Sequence, residues 1–238
     1  MTEAQPINVC TTHGDIRALI TIPHEAEWLY VFAHGAGAGM QHSFMEAAAT
    51  ALHDRGIATL RYEYPYMSAG SRRPDRAPVL ETTTRDIVTS AAQTWPGLRI
   101  AAGGKSMGGR MTSRAQSAEP MPRLEALLFF GFPLHLSKKP SIDRAEHLAA
   151  VTVPMLFLQG TRDDLAELDL MRGVTDDLGA HATLHVVDGA DHGFGVLKRS
   201  GRTAEDVLTE LGDTAAAFLA QVQGSPDVCP TSPAGPTR

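Results

Sequence analysis

Cysteine is nearly missing from this chain: only Cys10 and Cys229 occur, near opposite ends of 238 residues. That scarcity excludes a disulfide framework, and without a C-x-x-C pair there is neither a redox motif nor a thiolate zinc site. Ten histidines are scattered rather than clustered, so no metal and no organic cofactor is expected. No stretch approaches the roughly 18 consecutive apolar residues that a membrane helix needs. The opening MTEAQPINVC has neither a basic start nor an apolar run, so no secretory signal is readable and a cytoplasmic protein is expected. Twenty-one Lys and Arg stand against 27 Asp and Glu, a net charge of −6. With no cationic cluster, nucleic acid and anionic membranes are not expected partners.

What is present suits one packed domain. Hydrophobic residues make up 43% of the chain, ample for a core at this length. The domain is expected over residues 1–222, followed from Gln223 by the disordered tail QGSPDVCPTSPAGPTR, rich in Pro, Ser and Gly. Strand candidates lie at 15–23, 28–34, 57–64, 98–103, 126–132, 153–159 and 182–187. Several, such as LYVFA, ALLFF and MLFL, are unbroken apolar runs, the pattern of strands covered on both faces. Helical patterns alternate with them. One starts at a Ser43/Glu46 capping box, carries Phe44, Ala47, Ala48, Ala51 and Leu52 on one face, and stops at Gly56. Others are expected over 84–95, from just after Ser106, over 165–178 and over 203–222. This alternation argues a mostly parallel, doubly wound α/β sheet.

Chemistry concentrates at the strand ends. LRIAAGGKSMGGRMTSRA holds Gly104-Lys105-Ser106-Met107-Gly108, a Gly-x-Ser-x-Gly turn between an apolar strand and a helical segment. Such a turn lifts a serine hydroxyl above the sheet edge and is too crowded for side chains two positions either side. A serine hydroxyl is a weak nucleophile and needs a base oriented by an acid. Both follow in chain order: VPMLFLQ runs into Asp163 and Asp164, and ATLHVV is followed by His192 among small residues. Asp163 is the first choice of acid and Asp164 the fallback, whereas Asp191 reads as a loop stabiliser. An oxyanion needs two aimed N–H groups. Met107 supplies one, and Ala36, in His34-Gly35-Ala36-Gly37-Ala38-Gly39, is the likeliest second, with His34 organising that loop. Gly35, the loop after RYEY with Tyr66 and Met67, and His135 are candidate substrate contacts. Arg72, Arg73, Lys138, Lys139, Arg144 and His147 form a possible cationic rim. Two rival motifs fail on spacing. A P-loop needs a glycine where Arg99 stands, and a dinucleotide fingerprint needs one at Met40 or His42.

Taken together, FAHGAGAG, RYEYPYM, GGKSMGGRM, FFGFPLH and FLQGTRDD…DGADHGF resemble a small α/β-hydrolase group related to the dienelactone hydrolases. The likeness is strongest to bacterial relatives of testis-expressed protein thirty and of a hydrolase-like subunit of the non-specific-lethal chromatin complex. The resemblance spans roughly residues 15–222. It implies an α/β-hydrolase fold with no large lid domain, Ser106, Asp163 and His192 as triad, and a carboxylesterase-like activity on a small ester or related acyl compound. Dienelactone hydrolases use cysteine where this chain has Ser106, so lactone specificity does not carry over. The competing expectations are a non-catalytic binding or scaffold protein of the same fold, and an acyltransferase or peptidase with the same triad.

Overall fold

The computed structural model describes residues 4–224. Eight strands form one sheet in the order β1-β2-β4-β3-β5-β6-β7-β8. The strands are β1 (Gln5–Thr11), β2 (Gly14–Thr21), β3 (Trp28–Ala33), β4 (Ile57–Tyr62), β5 (Arg99–Lys105), β6 (Leu124–Phe130), β7 (Met155–Gly160) and β8 (Ala182–Val187). β1 pairs antiparallel with β2, and β2 antiparallel with β4; from β4 to β8 every pairing is parallel. Six α-helices flank them among the described residues: α1 (Ser43–His53), α2 (Pro65–Ser68), α3 (Ala77–Thr94), α4 (Met107–Ala118), α5 (Leu168–Leu178) and, after the last strand, α6 (Ala204–Gly224).

The apolar runs are buried on both faces because successive side chains leave opposite sides of the sheet. On β3, Trp28, Tyr30 and Phe32 join one core with α1 and α6 residues such as Leu52, Leu211 and Phe218. Leu29, Val31 and Ala33 join the other core, with Ile87 of α3, Met111 of α4 and Met171 of α5. This is the mostly parallel α/β sheet expected, with no lid domain among the described residues.

Several expectations are corrected. β1 was not anticipated: Ile7, Val9 and Thr11 do alternate along it, but as an edge strand it buries only Val9 fully and it carries Pro6. α3 starts at Ala77, not 84. Its buried face includes Thr83 and Thr84, which look polar in sequence but donate to the carbonyls of Val79 and Leu80 four residues back. The Ser43/Glu46 box does not form. Ser43 is already helical, and His42 caps the helix by accepting the Phe44 N–H at 3.2 Å. The inward face of α1 is accordingly Met45, Ala48, Ala49, Ala51 and Leu52. α6 continues through Gly224, two residues past the expected boundary, and the rest of the expected tail, with Cys229, lies outside the described residues. No helix among the described residues is long and apolar enough to cross a membrane.

Candidate active site

The carboxyl ends of β3, β5, β7 and β8 meet around Ser106. The chain leaves β5 through a turn in which Ser106 sits at φ 50°, ψ −116° before α4 begins at Met107. A non-glycine residue there stores about 1–3 kcal/mol of strain and persists only where its surroundings impose it. They do. A Cβ on Gly104 would lie 2.3 Å from the Ala33 carbonyl oxygen, and one on Gly108 2.5 Å from the same atom. The Ser106 N–H donates to Phe130 O at 3.2 Å, pinning the turn to β6.

His192, in the connection after β8, lies with Nε2 2.8 Å from Ser106 Oγ and Nδ1 2.7 Å from Asp163 Oδ2. A carboxylate only accepts, so Nδ1 carries the proton and Nε2 is left as acceptor for the serine hydroxyl. The Asp163 side chain is wholly buried. Its Oδ1 accepts the Leu165 N–H at 2.8 Å, and Oδ2 also accepts Gln159 Nε2 at 2.5 Å. Gln159 in turn accepts the Phe132 N–H at 3.0 Å, which orients its amide. Asp164 is turned away and accepts from Ser137.

A cleft of about 340 Å³ opens over Ser106, within the range of small-molecule sites. Gly35, Ala36 and Ala38 form one side, and Phe44, Met45 and Leu165 supply apolar walls. Lys105 also lines it. The Lys105 ammonium donates to the His192 carbonyl at 2.6 Å and sits 5.5 Å and 5.7 Å from the centres of the Phe194 and Phe44 rings. Burial pulls its pKa down to about 8, against the opposing charges of Asp163 and Asp191.

A family model described as an alpha/beta hydrolase domain matches residues 26–220. The chain belongs to this family. Solved α/β hydrolases share its fold at low identity. A dienelactone hydrolase from Anabaena variabilis matches with TM-score 0.74 and 19% identity over 92% of this chain and 98% of that one. An α/β serine hydrolase without lid from Xanthomonas campestris gives 0.71 and 17% over 92% and 96%. Est1E from Butyrivibrio proteoclasticus gives 0.70 and 15% over 92% and 99%.

Within this α/β-hydrolase frame the sequence candidates divide. Ser106, Asp163 and His192 come together, and Gly35 and Ala36 border the cleft beside them. Met107 is the first residue of α4, where a helix leaves its N–H groups without an intrahelical partner. Tyr66, Met67 and His135 do not line the cleft. The Tyr66 hydroxyl accepts the Gly37 N–H at 3.2 Å, and the Met67 Cε packs against Gly39, so both buttress the loop after β3 from behind. His135 is buried, holding Leu136 O through Nδ1 and the Glu167 N–H through Nε2. His34 donates to Gly35 O and accepts the Tyr64 N–H, organising its loop as expected. Asp191 accepts the N–H groups of Gly193 and Gly195 at 2.9 Å each, bracing the loop that carries His192. Lys105, Gln159, Phe44, Met45 and Leu165 were not anticipated. For two of them a signal existed: Gln159 is a lone polar residue closing an apolar strand four positions before Asp163, and Lys105 is the residue directly before the nucleophile candidate. No group of three or more His, Cys, Asp or Glu among the described residues is placed to hold a metal.

Proposed function

We propose that this chain is a serine hydrolase that cleaves small carboxylic esters through a Ser106 acyl-enzyme. The observation that carries the reading is the unbroken relay from Ser106 Oγ through His192 to Asp163, at 2.8 Å and 2.7 Å, opening into the cleft. Ser106 Oγ attacks the ester carbonyl carbon while His192 Nε2 takes its proton. The tetrahedral oxyanion is held by the N–H groups of Ala36 and Met107, the latter aided by the positive end of the α4 dipole. Collapse breaks the bond to the leaving alkoxide, which receives the proton from His192. Water then enters, gives a proton to His192 and its hydroxide to the acyl carbon, and the acid departs as Ser106 regains its proton. Asp163 keeps the imidazole in the required tautomer and stabilises the imidazolium at each stage.

The apolar walls Phe44, Met45 and Leu165 favour a short hydrocarbon acyl or alcohol portion. The test is covalent labelling with a fluorophosphonate, wild type against Ser106→Ala, followed by p-nitrophenyl esters of graded acyl length. Wild type labels and turns over. Ser106→Ala does neither, although it loses only a hydroxyl and stays folded. Folded wild-type protein that resists the probe would overturn the reading.

A further inference from the structure

One cation near the cleft has no use in that reaction. Arg110 lies in the first turn of α4, and its backbone N–H donates to Ser106 O at 3.2 Å. Its guanidinium makes no hydrogen bond and no ion pair among the described residues, and its Nε is enclosed without a partner. A buried donor left without an acceptor destabilises the fold, so such a group calls for a reason.

Its neighbours deepen the anomaly. Burial first, and then the charges of Arg144 and of Arg114 one helical turn along α4, push its pKa down. Glu81, the carboxylate whose charge acts on Arg110, is already engaged by Arg114. Arg144 donates only to a neutral acceptor, His135 O at 3.1 Å. His147 adds no charge, because burial beside Arg114 and Arg110 lowers its pKa to about 4, and it pairs with the Ser113 hydroxyl at 2.7 Å. Of these three guanidinium groups only that of Arg114 has an ion pair among the described residues, on a chain whose net charge is −6. The His135 N–H donates to Leu165 O, and Leu165 is a cleft wall, so the cluster is tied to the frame of the cleft.

We propose that Arg110 and Arg144, backed by Arg114, form a binding site for a compact oxyanion, a carboxylate or phosphate group. The fork of a guanidinium suits either group, and each charge-assisted bond is about twice as strong as a neutral one. The anion supplies the acceptors that Arg110 lacks and the negative charge that the cluster lacks. The existence of the site does not depend on the hydrolase reading; only its use for a substrate-borne anion rests on that reading.

Inorganic phosphate is the probe, titrated into the full chain by calorimetry at low ionic strength. Wild type binds saturably. Arg110→Met and Arg144→Gln each weaken binding about tenfold or more, and Ser106→Ala binds as wild type does. Without phosphate, Arg110→Met melts at or above the wild-type temperature, since it removes an unmet donor and a like-charge contact; a purely structural arginine would lower it. Equal phosphate binding by wild type and both arginine variants, or no saturable binding, overturns the proposal. A clear drop in the melting temperature of phosphate-free Arg110→Met does so too. The source of the anion is then read from kcat/KM for p-nitrophenyl hemisuccinate relative to p-nitrophenyl butyrate. If Arg110→Met lowers that ratio, the substrate carries the anion. If the ratio is unchanged while phosphate binding is lost, the ligand is a free anion; both results support the site. If wild type fails to label with fluorophosphonate yet binds phosphate through Arg110, the hydrolase reading falls and the anion site stands.

Discussion

Gly108, in the first turn of α4 behind Ser106, and Gly14, at the hairpin that joins β1 to β2, are both glycines beside a change of chain direction, but their surroundings differ completely. A Cβ on Gly108 would meet three backbone atoms within 2.7 Å, whereas one on Gly14 would meet nothing within 4 Å. Gly14 is needed only for its own backbone, at φ +98°. Gly108 is needed because the end of β3 passes through the space its side chain would take. The hairpin is therefore a local structure that tolerates change, and the elbow is a packing solution in which strand, turn and helix impose one another. A strained Ser106 can exist only in the second kind of region.

The sharpest contrast lies in chemistry. Asp163→Asn should reduce kcat on a p-nitrophenyl ester by about 10⁴-fold, since an amide can hold His192 in the wrong tautomer. Calorimetric stability should fall by only about 1–3 kcal/mol from the mismatched donors at Gln159 and Leu165. A loss of activity no larger than the loss of folded protein would remove Asp163 from the reaction.

Next comes the pair that defines the contrast. Gly108→Ala should cost about 1–3 kcal/mol by overpacking and reduce turnover about 100-fold by displacing the elbow. Gly14→Ala should cost about 1 kcal/mol through backbone strain alone and leave turnover unchanged. Denaturant midpoints and ester kinetics on both variants check this; similar profiles would erase the distinction.

Lys105→Met probes the seam between the proposed nucleophile, Ser106, and the proposed base, His192. The folded-state pKa of Lys105, about 8, lies below its ordinary 10.5. The unfolded chain therefore binds more protons between those values, and stability rises with pH across that window. Below about pH 8 the fold carries the whole penalty of the buried ammonium. Lys105→Met should accordingly raise the melting temperature at pH 7, and the advantage should shrink as pH climbs from about 8 towards 10.5. Turnover should fall severalfold, because the His192 carbonyl loses its donor. Thermal scans at pH 7 and pH 10 beside kinetics decide this, and a gain independent of pH would contradict it.

The same contrast explains what was legible in the sequence. Ser106, Asp163 and His192 could be read because each sits directly after an apolar strand and the fold orders them along the chain. The crowding at Gly104 and Gly108 could be read because only glycine fits such a turn. Side-chain direction in the neighbouring loops could not be read. Tyr66, Met67 and His135 follow strand ends at the same edge yet face structural partners, since a loop's position does not fix where its side chains point. β1 was missed for another reason: its alternating Ile7, Val9 and Thr11 form too short an apolar signal beside Pro6 to stand out, since an exposed edge strand pairs through its backbone and asks little of its residues. Pro78 at the helix start and the polar Thr83, whose hydroxyl is satisfied within the helix, hid the first seven residues of α3.

The frame of the elbow is held by backbone contacts to Ala33 and Phe130, while the apolar walls come from α1 and from the connection after β7. The two share no side chain. Replacing Phe44, Met45 or Leu165 reshapes the chamber without loading the strained serine. On the proposed reaction, natural variation can thus explore new acyl groups along the walls while the Ser106 hydroxyl keeps its position, much as a tool holder accepts different jaws on one spindle.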